Sequence, residues 1–171
     1  MATGKDFLMD HHIVSAFEVK ADAFLGGIDT DSVSLRDYDQ ATLVIFTGAI
    51  EDAAISNLVT FKASTDNAQA GATAMAWHRR DSLSSSTVDA WGDLTAVAAA
   101  GFNFADVVAT GVANAIWYGS VTAAEVQAAL ADAEFVHATI DETVDKTITA
   151  GGLWILSKAR YPGMTPKTAI V

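Results

Sequence analysis

The 171-residue chain contains no cysteine. Disulfide scaffolds, thiolate nucleophiles, cysteine-based zinc sites and iron–sulfur clusters are therefore excluded together. Proline is nearly missing too: only Pro162 and Pro166 occur, both near the C-terminal end, so turns must be made by other residues. Positive charge is scarce, with 10 Lys and Arg against 21 Asp and Glu and a formal net charge of −11. With a pI near 4.5 such a chain repels phosphate backbones, and no nucleic-acid partner is expected. Apolar residues are plentiful instead: 51% of the chain is hydrophobic and the mean hydropathy is +0.27, which excludes general disorder. A chain of this length is expected to form a single domain, residues 1–171, able to bury roughly 70% of its unfolded surface without metals or cross-links.

Long hydrophobic runs are also lacking. The opening MATGKDFLMDHH has no apolar core of about 7–15 residues and is not expected to be a secretory signal. The longest uncharged stretch, Val107 to Ala124, approaches the length of a membrane span. It is interrupted by Thr110, Gly111, Asn114, Gly119, Ser120 and Thr122, so two buried strands joined by a Gly119-Ser120 turn fit it better. No membrane partner is expected.

Turn-forming residues cluster at Gly26-Gly27, Asp29 to Asp31, Asp66-Asn67, Ser82 to Ser86, Gly101, Gly119-Ser120 and Gly151-Gly152. Between them lie short segments rich in Val, Ile, Phe, Thr and Trp, the pattern of an all-β domain. From Phe17 the apolar Phe17, Val19, Ala21 and Ala23 alternate with Glu18, Lys20 and Asp22, which predicts a half-buried strand. Ala41 to Thr47 (ATLVIFT) is apolar at both parities, as in a central strand covered on both sides. Ile55, Val59 and Phe61 alternate with polar residues, and Ala72 to Arg79 sets Met75 and Trp77 on one face. Further strands are predicted at Leu94 to Ala99, Val112 to Tyr118, Phe135 to Asp141 and Leu153 to Ala159.

A helix is signalled once. Thr122-Ala-Ala-Glu125 is a capping box, and the alanine-rich run 123–133 that follows carries Val126 and Leu130 on one face. The predicted architecture is mainly β: a single-domain β-sandwich or jelly roll with one short helix near 123–133, flanked by an N-terminal arm (1–12) and a docked C-terminal tail (160–171).

Catalytic and metal signatures are weak. His11-His12 would point to opposite faces of a strand, and His78 and His137 are remote in sequence, so no transition-metal site is expected. Asp29-Thr-Asp31, with Asp37 and Asp39 beyond, offers hard oxygen ligands of the kind that suit Ca²⁺, although the glycine and closing glutamate of an EF-hand loop are missing. The ordinary reading is a turn whose aspartates bond their own backbone. No G-x-S-x-G, S-x-x-K or phosphate-binding fingerprint occurs. Glu51-Asp52 and Asp141-Glu142 read as surface carboxylates, Ser82 to Ser86 as a loop and Gly151-Gly152 as a turn. The expectation is a protein without catalytic residues, metal or cofactor. Arg79-Arg80 and the group Lys158, Arg160 and Lys167 read as salt-bridging residues within an acidic protein. Trp77, Trp91, Trp117 and Tyr118 are expected to fill the core, with stacking platforms for carbohydrate as the alternative. The closing TAIV is apolar where free tails are usually polar, which suggests docking onto this chain's own sheet or onto another chain.

Three stretches carry a resemblance: KDFLMDHHIVSAFEVKADAF, DYDQATLVIFTGAI and ILSKARYPGMTPKTAIV. At Asp6-Phe7, Val14 to Ala16, Ala21-Asp22, Tyr38, Leu43 to Phe46 with Gly48, and Arg160-Tyr161 through Val171, the chain resembles small virion structural proteins encoded among the head genes of tailed bacteriophages and phage-like particles. The proline that this pattern often carries after the first strand is missing here. The resemblance implies a non-enzymatic, capsid-associated protein located in the virion. Its role would be that of a decoration or cement subunit, its partner the major capsid protein, and its own state a symmetric homo-oligomer such as a trimer. A head–tail connector or tail component is the neighbouring alternative.

Overall fold

A computed structural model of the chain describes residues 7–50, 56–81, 91–103, 116–144 and 147–160. A single helical turn, α1 (Phe7–Asp10), leads into β1 (His12–Lys20), β2 (Ile28–Asp29), β3 (Val33–Ser34), β4 (Tyr38–Ile50) and β5 (Ser56–Ser64). Next come β6 (Thr73–Met75), β7 (Trp77–Asp81), β8 (Thr95–Val97), β9 (Phe102–Asn103) and β10 (Ile116–Thr122). The helix α2 (Ala123–Ala129) and the strands β11 (Phe135–Val144) and β12 (Ile148–Ala159) complete the order.

The strands form two antiparallel sheets, as a β-sandwich requires. Sheet I runs β1-β12-β4-β10-β7-β8; sheet II runs β2-β11-β5-β6, with β3 also on β11 and β9 also on β5. The rings of Trp77 and Trp154 from sheet I meet Phe61 from sheet II, and Trp117 joins the cluster through Trp77. Phe61 stacks on Trp77 at 4.5 Å between centroids and meets Trp154 edge-on at 5.5 Å, and Trp77 meets Trp117 edge-on at 5.5 Å. All four rings are buried. Offset and edge-to-face ring pairs add directional attraction to area burial, so this cluster fixes how the sheets sit on each other.

ATLVIFT lies where the sequence predicts, in the centre of sheet I between β12 and β10. Ala41, Leu43, Ile45 and Thr47 face the core, whereas Thr42, Val44 and Phe46 are half-buried on the other face. The expected covering of both faces is thus complete on the inner side alone. The Phe135 to Asp141 and Leu153 to Ala159 strands are present and longer at one end or the other. Of the predicted Val112 to Tyr118 strand, the described residues show its last part, continuing to Thr122. Ile55 and Ser82 to Ser86 lie outside the described residues.

Several expectations are corrected. Gly119-Ser120 is not a turn: both residues lie within β10, paired with β4 on one side and β7 on the other. A Cβ on Gly119 would sit 2.8 Å from ring atoms of both Phe61 and Trp77, so the glycine is there to admit the rings. Gly151-Gly152 is likewise inside β12, and a Cβ on Gly152 would collide with the Phe17 ring. The first strand begins at His12 rather than Phe17. Val14 and Ala16 are buried, and irregularities at Ser15/Phe17 and Phe17/Lys20 shift the alternation so that Val19 is 62% exposed. The segment Ala72 to Arg79 is not one strand. It breaks at Ala76, leaving β6 on sheet II and β7 on sheet I, so Met75 and Trp77 reach the same core from different sheets.

The helix matches its signal. Glu125 N donates to Thr122 Oγ1 at 3.3 Å, and Thr122 N donates to Glu125 Oε2 at 2.7 Å. The helix ends at Ala129 instead of Ala133, and Val126 is its fully buried anchor. Of the predicted N-terminal arm, residues 7–12 form α1 and the start of β1. Of the predicted tail, Arg160 alone is described; it is held by Arg160 N donating to Asp37 O at 3.0 Å and its Nε to Asp39 Oδ1 at 2.8 Å. Among the described residues no helix is long and apolar enough to cross a membrane.

Candidate interaction surface

Sheet I has a second apolar face, directed away from sheet II. Register places its residues in rows across the strands. Ile13 on β1 pairs with Ile155 on β12, which pairs with Thr42 on β4. One row over, Leu153, Val44, Tyr118 and Arg80 are successive cross-strand neighbours. Phe46 lies between Gly151 and Ile116 in the next row, and a Cβ on Gly151 would strike both Val19 and Phe46, which puts these two side chains over that glycine. Trp91 adds a ring 5.2 Å from Tyr118. Ile13, Val19, Trp91 and Ile116 are exposed to between 41% and 62%. An antiparallel sheet with one solvated face ordinarily alternates apolar-in with polar-out; here the outward positions are largely apolar.

The outer face of sheet II differs. Its positions include Thr60, Lys62, His137 and Thr139, in the cross-strand pairs His137–Lys62 and Thr139–Thr60, with Asp29 on β2 opposite Thr139. His137 is buried, and its pKa is lowered first by that burial and then by the Lys62 ammonium, with Asp29 pulling the other way. The neutral imidazole is therefore favoured.

The four histidines do not converge. His11 Nδ1 donates to Phe7 O at 2.9 Å and the ring stacks on that of Phe7, while His12 meets Tyr38 edge-on. His78 Nδ1 lies 3.4 Å from Glu125 Oε1, joining β7 to the helix cap, and His137 sits on sheet II. Among the described residues no three His, Asp or Glu side chains group as metal ligands.

The Asp29-Thr-Asp31 segment serves as a strap between the sheets. Thr30 N donates to Ala138 O and Thr30 Oγ1 accepts from Ala138 N, both at 2.9 Å, on sheet II. Asp31 N donates to Ala16 O at 3.1 Å, and Asp31 O accepts from Trp154 Nε1 at 3.1 Å, on sheet I. Its contribution is backbone and a threonine hydroxyl, so the carboxylates are left pointing outward rather than around an ion. Asp39 is taken by Arg160, and Asp37 lies 3.9 Å from Arg36. Glu142 Oε2 accepts from Gly26 N at 3.2 Å, steadying the Gly26-Gly27 turn, where both glycines have positive φ.

Arg79 and Arg80 alternate faces: the Arg79 guanidinium lies 3.7 Å over the Phe102 ring between the sheets, and Arg80 is beside Tyr118 outside. They make no common basic patch. Lys158 is exposed. Glu51-Asp52, Lys167 and the TAIV segment lie outside the described residues. Trp77 and Trp117 fill the core as expected, and Trp91 with Tyr118 does not. An open groove of about 400 Å³ also runs between α2 and β6–β8, floored by Met75, Trp77 and Val97 and walled by alanines, with His78 and Glu125 facing each other at its rim.

Sequence reasoning missed the apolar outer face because ATLVIFT reads equally well as a strand buried on both sides. The available signal was Ile13 and Val19 flanking the same sheet at an edge, where an inward-only pattern has no use for them. Comparison with known protein families, with curated proteins and with solved structures found no match to the chain.

Proposed function

We propose that the chain is a structural subunit that works by adhesion to neighbouring protein surfaces, as a capsid-associated decoration or cement protein of a phage-like virion. The observation that carries the adhesive part is the outer face of sheet I, where Ile13, Val19, Trp91 and Ile116 are exposed together. Contiguous exposed apolar surface of this kind marks interaction sites. The virion setting rests on the resemblance at Asp6-Phe7, Leu43 to Phe46 and Arg160-Tyr161. A ring-packed sandwich suits such a role, because adhesion needs a rigid surface rather than a mobile cleft. Purified particles from the source should contain the chain in stoichiometric copies, hundreds per particle for decoration and about a dozen or fewer for a connector at a unique vertex. Its presence only in host cytosol, and never in particles, would defeat the reading.

A second reading has its own observation. The exposed Trp91 pairs its ring with the half-buried Tyr118 beside Arg80, the composition of a carbohydrate-stacking platform. Glycan-array binding that disappears on Trp91→Ala would favour it; an array without binding would remove it.

A further inference from the structure

We infer that the outer face of sheet I is closed by the same face of a second copy of this chain. The inference rests on the adhesive reading above and names the partner of that surface.

Charge is the first argument. The chain carries −11 overall, yet the positions that alternate onto this face along β12, β4 and β10, at 153–157, 42–46 and 116–120, hold no charged residue. Beside them, β7 brings Arg80 opposite Tyr118 and His78 opposite Ser120 onto the same face, and β8 forms the sheet edge beyond it. A surface built for an oppositely charged partner would carry charge. An uncharged patch on a strongly acidic molecule is instead a place where two acidic copies can meet without burying carboxylates against each other.

Area is the second. With β1 and β7 flanking the three uncharged strands, five strands at about 4.8 Å spacing and about six residues at about 3.4 Å each give a face of roughly 500 Å², apolar at its centre and basic along β7. Two such faces remove about 1,000 Å² from water, the lower bound for a specific interface. Tyr118 and Trp91 supply the aromatic content typical of interface centres, and Val44 and Phe46 sit on the central strand between the exposed flanks. A face that pairs with itself is isologous and closes at two copies. A trimer would need another surface.

Dimerisation of two acidic copies through an uncharged face has a distinctive salt response. Repulsion between the remaining surfaces is screened by ions, so association tightens as salt rises, whereas a contact held by opposite charges weakens. Sedimentation equilibrium of the purified full chain at about 0.05 M and about 0.5 M NaCl reads this directly. A dimer is expected, tighter at the higher salt. Ile13→Lys and Ile116→Lys, each placing an ammonium on the face, should weaken it at least about tenfold. Leu25→Lys, an equally exposed apolar residue away from the face, should leave it unchanged. Near-ultraviolet circular dichroism of the tryptophan cluster confirms that each variant is folded. A monomer at every concentration, a dimer loosened by salt, or a dimer indifferent to the two face variants would overturn the inference. Particles containing stoichiometric copies of a chain that is monomeric in solution would leave the virion reading standing and remove this one; a salt-tightened dimer never found in particles would do the reverse.

Discussion

Leu43 and Val44 are neighbours on β4, and their side chains leave the strand in opposite directions. Leu43 enters the core between the sheets and is fully buried; Val44 lies on the outer face of sheet I and is half-buried. The same contrast runs across the sheet, between Trp117 and Tyr118 on β10 and between Trp154 and Ile155 on β12. Both faces are apolar, but the inner one is packed against Phe61 and its sheet, while among the described residues the outer one meets no second sheet. An apolar pattern at both parities therefore suits cover on both sides, and the described residues supply it on the inner side. The outer face of sheet II is polar instead: Thr60, His137 and Thr139 are buried there and Lys62 is half-buried.

If the inner face holds the fold and the outer face does not, substitutions should separate along that line. The largest loss is expected for Phe61→Ala, which removes the ring that sheet II packs against Trp77 and Trp154. A destabilisation of about 3–5 kcal/mol should appear as a lowered urea midpoint. Leu43→Ala should cost about 2–5 kcal/mol, against at most about 1 kcal/mol for Val44→Ala next to it; equal losses would erase the distinction between the faces. Gly119→Ala should cost about 1–3 kcal/mol by forcing the Phe61 and Trp77 rings apart, a change visible as a shift in tryptophan fluorescence. Sheet II offers a smaller, pH-dependent effect. Because burial lowers the folded pKa of His137, stability is full above the unfolded histidine pKa of about 6.5. It declines as pH falls below that value and through the lowered folded one, since the unfolded chain takes up the proton first. His137→Gln should flatten this slope in pH-dependent denaturation. The smallest effect is expected for Val19→Ser, within about 0.5 kcal/mol of stability, although it lies on the proposed contact face.

What could be read from the sequence was mostly local. The central strand at Ala41 to Thr47, the strand from Phe135 and the helix cap at Thr122 and Glu125 all depend on residues within a few positions of one another, and all three are present. Features that depend on distant partners were not legible. Gly119 and Gly152 look like turn residues until Phe61, Trp77 and Phe17 are known to approach them. The sheet change at Ala76 leaves the alternation of Met75 and Trp77 intact, so period alone could not reveal it. Asp29-Thr-Asp31 resembles a cation loop because its carboxylates stand out in the sequence, whereas its backbone and the Thr30 hydroxyl tie the two sheets together. The outer face of sheet I was legible as apolar but not as outward, since parity does not say which side has a partner.

Hydroxyl-radical footprinting of the assembled protein against its dissociated form tests the adhesive role of sheet I most directly. The account predicts that Ile13, Val19, Trp91, Tyr118 and Ile116 lose reactivity on assembly while Leu25 and Val144, exposed elsewhere, keep theirs. Undiminished labelling across those five residues, with protection falling on other surfaces, would contradict it.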